Sequence, residues 1–99
     1  MILWRQMDDD RLKARVREIA GSLKNVRFSE LLTLLDNHVQ PYCQTRGLAY
    51  VHRNPRGSHH GFTVGSRVFN VVTPHGTSFA RREYVQDFLD AMEEIGLYE

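Results

Sequence analysis

Apolar residues recur along this chain with two different periods. Leu12, Val16, Ile19, Ala20 and Leu23 return at helical spacing with basic residues between them, and Asp8, Asp9 and Asp10 stand just ahead. That pattern predicts an amphipathic helix with acids at the positive end of its dipole, frayed at Gly21. Leu31, Leu32, Leu34 and Leu35 form a second helical face. Ser29 is placed to be its N-cap, and Pro41 sets a limit beyond which the helix is not expected to run. Residues 48–53 are aromatic and aliphatic, while 61–64 and 67–73 flank Gly65-Ser66, a two-residue loop with glycine first, as a type II′ hairpin prefers. A three-stranded antiparallel meander is predicted. After Pro74-His75-Gly76 the helical period returns, with Val85, Phe88, Leu89, Met92 and Ile95 on one face and Gly96 as the C-terminal cap. The fold class is therefore α+β. With the first helix set aside as an N-terminal extension over 1–25, residues 26–99 read αβββα. This is the order of double-stranded-RNA-binding domains, in which both helices pack on one face of the sheet and the other face stays open.

The chain has 99 residues, 41% hydrophobic and 25% charged, which is ordinary for one soluble globular domain and too short for two. Its single cysteine, Cys43, cannot form an internal disulfide, which is compatible with a reducing compartment. The apolar run from Met1 to Trp4 is too short for a signal peptide or a membrane span, so a cytoplasmic protein with no membrane partner is expected.

Charge changes the picture more than composition does. Between Asn37 and Arg82 there is no carboxylate, yet this stretch holds six arginines (Arg46, Arg53, Arg56, Arg67, Arg81 and Arg82) and all five histidines. The flanks carry the other seven basic residues against all twelve acids, so the net charge of +1 is a cancellation. Clustered arginine most often meets phosphate.

Arg53-Asn54-Pro55-Arg56-Gly57-Ser58 reads as a basic turn leading into the second strand, with His59 and His60 at that strand's start. Successive strand side chains face opposite ways. His60 shares its parity with Phe62 and Val64, which should be buried, whereas His59 falls with Gly61 and Thr63 on the exposed side. His59 is thus the first catalytic candidate, and a bulge or a later strand start would hand the role to His60. Near neutral pH an imidazole can take a proton from a ribose 2′-hydroxyl or give one to a leaving oxygen, while arginine holds the phosphodiester. The substrate then supplies its own nucleophile. No carboxylate in the segment is available to hold Mg²⁺, although one from a helix could approach.

Blander readings stand beside this one. A histidine pair near a hairpin is commonly surface decoration. Zinc on His59, His60 and His75 would need adjacent strand histidines that in fact point apart. Ser58 lacks the glycine two residues on that a nucleophile elbow requires. Arg81 and Arg82 can simply be the solvated first turn of the last helix. His38 and His52 read as surface or packing residues, and Cys43 as a small buried hydrophobe.

Four strings in order carry a resemblance: Val26-Arg27-Phe28-Ser29-Glu30-Leu31-Leu32, Gly57-Ser58-His59-His60, Val72-Thr73-Pro74-His75-Gly76, and Tyr84-Val85-Gln86-Asp87-Phe88-Leu89 leading to Ile95-Gly96-Leu97. Over about residues 26 to 98 the chain resembles the HicA toxins, also called YcfA-like proteins. The resemblance implies a double-stranded-RNA-binding-like fold, metal-independent endoribonuclease activity on messenger RNA, and a cognate HicB antitoxin that covers the active histidine. The family's glycine, serine, histidine motif falls on Gly57, Ser58 and His59, or on His60 where that histidine is displaced by one. The candidate site is then His59 and His60 as catalytic residues, Arg53, Arg56, Gly57, Ser58, Arg67 and Arg81 toward substrate, and no metal or other cofactor. Two further readings are a non-catalytic RNA- or DNA-binding module and a protein-interaction domain whose basic face docks an acidic partner. The N-terminal helix could pair two copies into a homodimer.

Overall fold

A computed structural model describes residues 7–99; the apolar run at 1–4, on which the expectation about leaders and membrane spans rests, lies outside the described residues. The first helix, α1 (Asp9–Ala20), starts behind Asp8, whose carboxylate accepts the Arg11 N–H at 2.9 Å, with Asp9 and Asp10 in the first turn. It buries Leu12, Val16 and Ile19, and Gly21 closes it.

The second helix departs from the sequence reading at both ends. Its N-cap is Arg27, not Ser29, which lies inside α2 (Phe28–Leu34). A tertiary clamp overrides the serine's local preference. Arg27 forms an isolated antiparallel bridge with Phe79, the Phe28 N–H donates to the Ser78 carbonyl at 2.9 Å, and the Ala80 N–H donates to Val26 at 2.8 Å. The Glu30 carboxylate then accepts the Arg27 N–H at 3.3 Å.

Nor does Pro41 end the helix. A π-helical turn over Leu35–Val39 follows α2, and α3 (Gln40–Thr45) follows the turn directly. In a helix interior proline lacks the N–H for the ladder and crowds the carbonyl four residues back. Here the wider turn, closed by Gln40 N–H reaching back to Leu35, makes Pro41 the second residue of a new α segment, where a missing N–H is tolerated. Continuing the helix buries Tyr42 and Cys43, and the Tyr42 hydroxyl donates to the Ile95 carbonyl at 2.7 Å.

The sheet is an antiparallel meander in the order β1 (Tyr50–Arg56), β2 (His59–Val64), β3 (Arg67–Val72). The first strand starts later than 48–53 and runs on through Pro55. It is an edge strand, where proline is tolerated, and a bulge between Arg53 and Arg56 absorbs the irregularity. In the Gly65-Ser66 loop only the glycine has positive φ, +61°, as a type II′ turn requires. The last helix, α4 (Arg82–Glu94), ends at Ile95 in a Schellman arrangement. Leu97 N–H donates to Met92 at 2.8 Å and Gly96 N–H to Glu93 at 3.2 Å, with Gly96 at φ +89°.

One face of the sheet is core. Phe62, Val64, Phe69 and Val71 are buried with Val85, Phe88, Leu89 and Met92 of α4, and α1 adds Leu12, Val16 and Ile19 to the same cluster. The opposite face leaves Val51, Arg53, His59, Val68 and Asn70 exposed. The result is a mixed α+β protein with a three-stranded antiparallel sheet, compatible with the αβββα order, in which α1 shares the core. Among the described residues no helix is long and apolar enough to cross a membrane.

Candidate functional site: two histidines on opposite faces of one strand

The open face takes its character from the bulge. Arg53 stands opposite Gly61, but Arg56, not Pro55, stands opposite His59, because the bulge inserts one extra residue. Opposed residues share a face, so Arg53, Arg56, His59, Gly61 and Thr63 all look outward, joined from β3 by Val68, Asn70 and Val72. The Arg53 guanidinium lies over Gly61. A Cβ at Gly61 would sit 3.6 Å from Arg53 Nη2 and 3.4 Å from Asn70 Oδ1. Arg53 Nη1 also donates to Thr63 Oγ1 at 3.3 Å. The outcome is a cationic surface in which Val51 and Val68 are also exposed, with no carboxylate among the described side chains it presents.

His59 is exposed on this face, as parity predicted, and among the described residues no hydrogen bond orients its ring. Gly57 and Ser58 form the tight turn that precedes it, and the Ser58 carbonyl accepts the Thr73 N–H at 2.8 Å. The turn thereby ties the His59 end of β2 to the end of β3.

His60 points the other way, into a network that its neighbours in sequence do not announce. Its Nδ1 is 2.8 Å from Nε2 of His52, and Nδ1 of His52 is 3.0 Å from both carboxylate oxygens of Asp36. The Tyr50 hydroxyl donates to Asp36 Oδ1 at 2.7 Å. Below these groups the His52 ring stacks on Phe62 with centroids 4.3 Å apart, and Phe28 of α2 meets the His60 ring edge-on at 5.5 Å. Burial first, and then His52 beside it, hold the His60 imidazole below the ordinary histidine range, against an opposing pull from Asp36. Burial, reinforced by the bond to Asp36, pushes the Tyr50 phenol far above its usual range.

Asp36 occupies the π-helical turn, and from there its carboxylate meets Tyr50 and His52 of β1. The four groups come from a helix and two strands, with sequence separations of 14, 16 and 8 residues. They are strung in a line rather than converging on a point, and no group of three or more His, Cys, Asp or Glu among the described residues is arranged to hold a metal ion.

The other candidate residues are dispersed. Arg67 lies at the far end of β2 and β3 from His59, opposite Val64, and pairs with Glu94 at 3.3 Å. Arg81 pairs with Glu83 of its own helical turn at 2.9 Å and lines a groove of about 210 Å³ with His75, Thr73 and Tyr84. Arg46 pairs with Asp9 and lies over the Tyr42 ring at 3.7 Å. Three of the six arginines in the acid-free segment are thus matched to acids from the flanks. Arg53, Arg56 and Arg82 pair with no carboxylate among the described residues. His52, read from sequence as a surface or packing residue, and Asp36 are the site residues that sequence reasoning passed over. Their signal was parity: His52 lies two residues from Tyr50 on the half-buried side of β1, where a polar ring needs a partner. Comparison with family models, with curated proteins and with solved structures finds no match for the chain.

Proposed function

We propose that this chain is a metal-independent endoribonuclease acting on messenger RNA, the toxin of a HicA-type toxin–antitoxin pair in the cytoplasm. Its fold on this reading is a variant of the double-stranded-RNA-binding domain, and its protein partner is a HicB-like antitoxin. The observation that carries the proposal is the bulged edge of β1, which sets Arg53 and Arg56 beside His59 on one open sheet face without a carboxylate. Two guanidinium groups there can hold backbone phosphates along the RNA, and the exposed Val51 and Val68 give unpaired bases an apolar surface. A histidine of the His59-His60 pair then serves as acid and base toward the 2′-hydroxyl and the leaving oxygen, with the RNA supplying the nucleophile.

The test is incubation of the protein with single-stranded RNA in excess EDTA, beside His59→Ala and His60→Ala. Cleavage should persist in chelator and fall in at least one variant. Undiminished cleavage by both variants would remove the histidine pair from the mechanism. A second reading, a non-catalytic RNA-binding module using the same face, is favoured by one observation: among the described residues no hydrogen bond orients the His59 ring as a base. It expects retention of RNA without cleavage, weakening steeply with salt.

A further inference from the structure

The line from Asp36 through His52 to His60 fixes where the protons sit. A carboxylate offers only acceptor atoms, so Nδ1 of His52, at 3.0 Å, carries a hydrogen toward Asp36. A neutral His52 then has a bare Nε2. The proton in the 2.8 Å contact between the rings therefore belongs to Nδ1 of His60, and the lone pair of His60 is left on Nε2. Among the described residues no hydrogen bond occupies that atom.

We propose that Asp36 and His52 are positioning residues that hold His60 as a general base with its lone pair on Nε2, and that His60, not His59, takes the proton during RNA cleavage. The second half rests on the endoribonuclease reading above; the first does not. Two independent features support it. Asp36 sits in a π-helical turn, a departure from regular helix, and such turns are frequent at functional sites. The ring geometry is also over-determined, with Phe62 stacked under His52 and Phe28 against His60.

The proton balance closes. When Nε2 of His60 accepts the 2′-hydroxyl proton, the Nδ1 proton of His60 passes to Nε2 of His52. The charge then rests on His52, against Asp36, while His60 stays neutral. The freed 2′-oxygen bonds to phosphorus, the bond from phosphorus to the 5′-oxygen breaks, and the pair returns one proton to that oxygen. Facing the pair are Asp36 from the π-helical turn and Tyr50 from β1; Phe28, Phe62 and the opposing Val71 are apolar. The two rings lie 5.1 Å apart, centroid to centroid, which keeps them within reach of one shared proton.

Long-range ¹⁵N–¹H NMR on the full chain at mildly alkaline pH reads the tautomers directly. Both His52 and His60 should show hydrogen on Nδ1, and hydrogen on Nε2 of either ring would overturn the relay. In Asp36→Asn the His60 titration should move to lower pH, since its cation loses the pull of the Asp36 carboxylate; an unmoved titration also overturns the relay. In the RNA arm, His60→Gln should lower cleavage roughly 10²-fold or more, and His59→Gln less. The reverse order would overturn the assignment of the base to His60 while leaving the endoribonuclease reading intact. Absence of cleavage by the unaltered protein would end that reading and the RNA step with it, and the NMR spectra alone would then uphold or overturn the relay.

Discussion

The two faces of β2 carry adjacent histidines in opposite circumstances. On the open face His59 has cationic neighbours and no hydrogen bond among the described residues to fix its ring, whereas on the covered face His60 has a fixed ring and a carboxylate two steps away. Binding and proton transfer therefore make different demands of one strand. Binding wants exposed charge at an edge, which the bulge supplies. Proton transfer wants a pre-set tautomer, which only partly buried, hydrogen-bonded groups can hold. The strand's period of two is what keeps these demands apart by a single residue.

The most forceful way to break this contrast is to remove the floor of the covered face. Phe62 is fully buried and stacks on both His52 and Phe69. Phe62→Ala should destabilise the fold by about 3–5 kcal/mol, from reduced burial and the cavity left behind, as measured by urea denaturation. A loss below about 1 kcal/mol would mean that the face is not packed as described. Next in size is Asp36→Asn, which keeps the shape and removes the charge that accepts from both Tyr50 and His52. Losing charge-assisted hydrogen bonds in a partly exposed site should cost about 1–3 kcal/mol in the same measurement. An unchanged denaturation midpoint would show that the network is decorative.

These two predictions also mark what the sequence could and could not disclose. The periodic segments were legible. Leu12, Val16 and Ile19, the Gly65-Ser66 hairpin and the face of α4 each follow from local spacing, and tertiary packing agrees with that spacing. The parity of His59 and His60 was legible for the same reason. The helix through Pro41 was not, because its continuation depends on a π-helical turn and on the burial of Tyr42 and Cys43, neither of which is a local property. Asp36 was hidden in a further way. It stands at the edge of the acid-free segment, and only the fold shows that the missing carboxylate arrives from the preceding helix. Similarly, six clustered arginines promised one basic surface, yet Arg46, Arg67 and Arg81 are each paired with an acid.

Acidity should sharpen the contrast more gently than the substitutions do. Burial and the neighbouring His52 depress the folded-state titration of His60 below the unfolded value of about 6.5, so in that window the unfolded chain binds more protons. Stability from this group is complete above that pH and is lost as pH falls through the folded value. Denaturation midpoints for the unaltered protein should decline on acidification below about pH 6.5, and more shallowly for His60→Gln. Parallel profiles would remove His60 from the acid response. On the open face, Arg53→Ala should leave stability within about 0.5 kcal/mol, since its guanidinium is exposed and, among the described residues, bonded only to Thr63. Its effect belongs to RNA. For every phosphate that the variant no longer neutralises, the slope of log affinity against log salt should become shallower by about 0.7 on a single strand. An unaltered slope would place the phosphate elsewhere.

The smallest expected effect is the most exacting test of whether the open face is open. Val68 is 68% exposed and lies opposite Thr63, while Val71, three residues on, is fully buried opposite His60. The same change, valine to alanine, removes the same two carbons at each site. At about 0.8 kcal/mol per buried methylene, Val71→Ala should cost roughly 2 kcal/mol, whereas Val68→Ala should stay within about 0.5 kcal/mol. A matched loss at both positions would mean that Val68 is covered in solution. A second copy of the chain is the simplest cover, and its signature would be a midpoint for Val68 that rises with protein concentration, because association stabilises only the folded state. A small loss that is independent of concentration leaves Arg53, Arg56 and His59 facing solvent, which is what an RNA-binding surface on this strand requires.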